Sequence, residues 1–83
     1  MNKFAEFELT KEFRDRFQLA LNNRDRQFIL ESLEEINPAD ITSLLYEFNS
    51  EESKYVLDIL PIDVRSQIIN DLDRDARKAF IKV

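Results

Sequence analysis

Apolar positions in the middle of the chain recur with a period of twelve residues. From Asn37 the sequence divides into Asn37–Phe48, Asn49–Leu60 and Pro61–Leu72, and the eighth, ninth and twelfth places of each copy are apolar. They are Leu44, Leu45 and Phe48, then Val56, Leu57 and Leu60, then Ile68, Ile69 and Leu72. Residues at i, i+1 and i+4 share one face of an α-helix, so each copy predicts a helix of about two to three turns. A weaker copy precedes these, with Leu33 and Ile36 in register, and another follows, with Phe80 and Ile81.

Each copy also opens with residues suited to a helix start. Asn37 can cap with Pro38 at the first helical position, Asn49 stands three residues before Glu52 in capping-box spacing, and Asp73 can cap the last copy. Pro38 and Pro61 both fall at copy boundaries, where a proline disturbs a helix least. Helices this short are marginal alone. They gain stability by laying their apolar faces on neighbours, which predicts a solenoid in which two copies make a helical hairpin of 24 residues.

Ahead of the repeat, Phe4, Phe7 and Leu9 stand among charges and suggest a short extension packing on the rest. Thr10 is a suitable N-cap for a first helix with Phe13, Phe17, Ala20 and Leu21 on one face. Asn22 and Asn23 are expected to end it by adopting the left-handed conformation, since the chain has no glycine. A second helix is predicted from about Asp25 to Glu35, with Phe28, Ile29, Leu33 and Ile36 inward. Neither sustained alternation nor a hairpin turn signal occurs. The expectation is an all-α, armadillo-like solenoid of about six short helices joined by two- to three-residue turns.

Composition narrows the function more than it alters the fold. Eighty-three residues make one small domain at most. The absence of glycine excludes phosphate-cradling loops and dinucleotide fingerprints. With neither His nor Cys, the usual general bases, nucleophiles, transition-metal ligands and disulfides are missing, so no enzyme is expected. A net charge of −5 argues against nucleic-acid binding through the overall field. Apolar runs reach only three residues, as in Phe28-Ile29-Leu30, and Lys3, Glu6 and Glu8 interrupt any leader-like stretch, so neither a membrane span nor a signal peptide is expected.

Candidate chemistry is confined to carboxylates. Asp71-Leu-Asp73-Arg-Asp75 imitates the start of a calcium loop, but Ala76 stands where that loop needs glycine and Lys82 where it needs glutamate. Glu34-Glu35 and Glu51-Glu52 read as solvated faces and helix-start charges. Arg14-Asp15-Arg16 and Arg24-Asp25-Arg26 read as exposed alternating charge along helices. Tyr46 and Tyr55 are expected to border helix packing rather than act on a substrate.

The run Leu33-Glu-Glu-Ile-Asn-Pro-Ala-Asp-Ile41, followed by Leu44-Leu45 and the Asp58-Ile-Leu-Pro61 turn, resembles the intracellular N-terminal domain of MgtE magnesium transporters. The lead-in Phe7-Glu-Leu-Thr-Lys-Glu-Phe13 looks like the start of its bacterial members, so the likeness spans nearly the whole chain. The resemblance implies a right-handed superhelix on the cytoplasmic face of the bacterial inner membrane, followed by CBS domains and a transmembrane pore in a homodimer. It also implies magnesium sensing: ions bound between this domain and the CBS domains hold the assembly compact and the pore shut. Against that pattern the chain looks truncated at its C-terminal end. It also carries Gln67 where some relatives have an acidic magnesium ligand. Asp63, Asp71 and Asp75 are the nearest acidic metal-ligand candidates. A rival expectation is a helical-repeat interaction scaffold without ion sensing, of the kind flagellar motor-switch proteins use.

Overall fold

A computed structural model describes residues 8–81, with the side chain of Ile81 outside that description together with residues 1–7 and 82–83. Phe4, Phe7 and Val83, and hence most of the expected N-terminal extension, lie outside the described residues. Among the described residues there are six α-helices and no strand: α1 (Lys11–Asn23), α2 (Arg26–Leu33), α3 (Pro38–Leu45), α4 (Ser50–Ile59), α5 (Ile62–Asp71) and α6 (Arg74–Ile81). The chain separates into two compact units, one up to Asn37 and one from Pro38 onward.

In the first unit α1 packs against α2. The Thr10 hydroxyl accepts from the Phe13 amide at 3.1 Å and starts α1 where the sequence indicates. Phe17, Ala20 and Leu21 are buried, Phe13 is half-buried, and the Phe13 and Phe17 rings stack at 5.7 Å. The helix ends one residue later than expected. Asn22 and Asn23 remain helical, and Arg24 takes the left-handed conformation at φ 52°, ψ 44°. Its amide donates to the carbonyls of Ala20 and Leu21, and its guanidinium Nη1 also donates to Leu21 at 3.0 Å. A side chain that caps its own helix offsets part of the strain a non-glycine residue meets there.

Asp25 then caps α2, its carboxylate accepting from the Phe28 amide at 3.2 Å. Arg24-Asp25-Arg26 is therefore a turn built of two caps, not alternating charge along a helix. The second helix closes at Leu33, short of Glu35, and Phe28 is 38% exposed rather than inward. Ile29, Leu33 and Ile36 are buried as expected.

The second unit holds the three clear repeats. Of their nine apolar places, eight are buried, and the ninth, Ile69, is half-buried. The repeat register therefore corresponds to the buried face. Helices pack in alternation, α3 against α5 and α4 against α6. Asn49 and Glu52 form a reciprocal capping box: the Asn49 side chain accepts from the Glu52 amide at 2.8 Å, and the Glu52 carboxylate accepts from the Asn49 amide at 3.2 Å. Asp73 caps α6 through the Ala76 amide at 2.8 Å. Helices α4 and α5 stop alike, with Leu60 and Leu72 in extended conformation after the last turn. The turns at 34–37 and 46–49 have four residues, longer than expected, whereas those at 60–61 and 72–73 have two.

Candidate functional site

The carboxylates singled out as metal-ligand candidates are helix-end residues. Asp63 and Asp75 are the second residues of α5 and α6, and Glu51 is the second residue of α4. All three occupy place three of their copies and all are exposed. A negative charge at that position faces the unpaired amides of the first helical turn. In α5 the charge matters most, because Pro61 at the N-cap makes no side-chain cap. Asp71 differs: it is the last residue of α5, exposed, at the end where the helix dipole disfavours an anion.

Arg77 meets that end. Its Nε donates to the carbonyl of Ile69 at 2.9 Å and its Nη2 reaches the carbonyl of Asn70 at 3.5 Å. A cation is thereby held at the α5 C-terminus, in the electrostatically favoured place. Among the described residues no group of three or more acidic side chains is gathered as a metal-holding cluster, so Asp63, Asp71 and Asp75 are not brought together. Gln67 is exposed near the middle of α5.

Arg77 has a counterpart that sequence reading missed. The fully buried Ser53 hydroxyl donates to the carbonyl of Leu45 at 2.7 Å. Ser53 and Arg77 both stand at place five of a copy, and both reach back eight residues to the place-nine carbonyl of the copy before. Carbonyls at a helix C-terminus lack partners in their own helix, and here the following helix supplies one. The contact joins α3 to α4 and α5 to α6, so it recurs every 24 residues, the length of one helical hairpin. Place five is polar in three successive copies, Ser53, Arg65 and Arg77, so residue type alone did not mark which copies make the contact. Ile41, the same place in the first copy, is instead buried.

The remaining candidates are structural or solvated. Tyr46 is half-exposed, just past the end of α3, and its ring is tilted against that of Phe80 in α6 at 5.9 Å. Glu34 and Glu35 lie exposed in the turn after α2, and Arg14, Asp15 and Arg16 are exposed on α1. Lys54 and Asp58 form an ion pair of 2.8 Å one turn apart on α4. Among the described residues, no helix is long and apolar enough to cross a membrane. In comparisons with protein-family models, curated proteins and solved structures, nothing matches the chain.

Proposed function

We propose that the chain is the cytoplasmic magnesium-sensing domain of an MgtE-type magnesium transporter, folded as a right-handed superhelix of twelve-residue repeats. The observation that carries this reading is the run from Leu33 to Ile41 with Leu44-Leu45 and the Asp58–Pro61 turn. The helix boundaries support it: α2 ends at Leu33, α3 begins at Pro38, and α4 gives way to α5 across Leu60-Pro61. The alternate packing of α3 on α5 and α4 on α6 supports the superhelical part.

In this reading the domain is one jaw of a clamp whose other jaw is a CBS domain of the same transporter. Magnesium keeps much of its water and takes one or two carboxylates, so it suits a bridge between exposed acids rather than a closed cage. Asp63, Asp71 and Asp75 are exposed and offer single carboxylates of that kind. Two unit charges about 4 Å apart repel by only ~1 kcal/mol in water. Several such pairs, partly desolvated, bias a two-state equilibrium by the ~5 kcal/mol that separates a mostly open from a mostly closed population.

The reading requires that the natural coding sequence continue past Val83 into CBS domains and apolar helices. It is tested on that full-length protein by limited proteolysis with and without millimolar magnesium at matched ionic strength. Protection of the 34–37 and 60–61 turns by magnesium is expected. Equal cleavage in both conditions contradicts the clamp and favours an interaction scaffold.

A further inference from the structure

We draw no further inference here: the strongest candidate, the partly exposed apolar flank of α5 formed by Ile62 and Ile69, carries none because nothing in the structure shows what covers it.

Discussion

Truncating place nine in each copy in turn gives a graded test of the repeat. Leu45 and Leu57 are almost fully buried, whereas Ile69 is half-buried. Replacing either leucine by alanine removes side-chain carbons worth about 0.8 kcal/mol each, roughly 2–2.5 kcal/mol of transfer energy. The cavity left behind raises the total to about 2–5 kcal/mol. Ile69→Ala forfeits only about half the transfer term, and its void opens to water, so about 1–1.5 kcal/mol is expected. For a domain of this length the whole stability is about 4–12 kcal/mol, so the leucine variants lose a large share of it. Urea denaturation followed by circular dichroism measures all three, with osmolyte present if Leu45→Ala is partly unfolded in buffer. The expected order is Leu45 and Leu57 together, then Ile69 well below. A Leu45→Ala cost under about 0.5 kcal/mol means the register is wrong, and an Ile69→Ala cost equal to that of Leu45→Ala means the α5 flank is already covered.

Three further changes probe the contacts that end and join the helices. Ser53→Ala should cost about 1–2 kcal/mol, tempered because the Leu45 carbonyl keeps a 3.3 Å bond from the Phe48 amide, while Ser43→Ala on the exposed side should be near neutral; equal melting temperatures for the two would remove the reach-back contact from the account. Asn49→Ala dismantles the capping box and should lower stability by about 1 kcal/mol in the same urea experiment. Arg24→Val forces a β-branched residue into the left-handed conformation and should cost about 1–2 kcal/mol, whereas Arg24→Asn should be close to the parent.

The repeat was legible because its signal is hydrophobic and periodic. Leu44, Leu45, Val56, Leu57 and Ile68 follow a spacing that only one buried face satisfies, and they are buried. The caps at Thr10, Asn49 and Asp73 were legible for a similar reason, since short polar side chains at a helix start have few other roles. The end of α1 was not. The asparagines had the better intrinsic preference for a left-handed turn, but Arg24 has a side chain long enough to return to the Leu21 carbonyl. Phe28 was misread because Ile29 and Leu33, one turn apart, take the buried face of α2, and Phe28 sits about 100° round the helix from Ile29. Of the acidic candidates, place three of the repeat explains Asp63 and Asp75 as helix-start charges. That equivalence stood in the sequence, although the holding of the α5 C-terminus by Arg77 depended on tertiary placement.

On the reading proposed above, in which the chain is part of a magnesium transporter, magnesium flux through that full-length protein, measured against cytoplasmic magnesium with and without residues 1–83, tests the proposed sensing role most directly. Expression and dimer formation of the deletion must match the parent, so that loss of control is separated from loss of protein. The proposal predicts that, with this domain removed, the pore stays open to higher magnesium than in the parent. An unchanged closing concentration in a well-folded deletion would contradict magnesium sensing by this domain and leave it a scaffold of stacked helices.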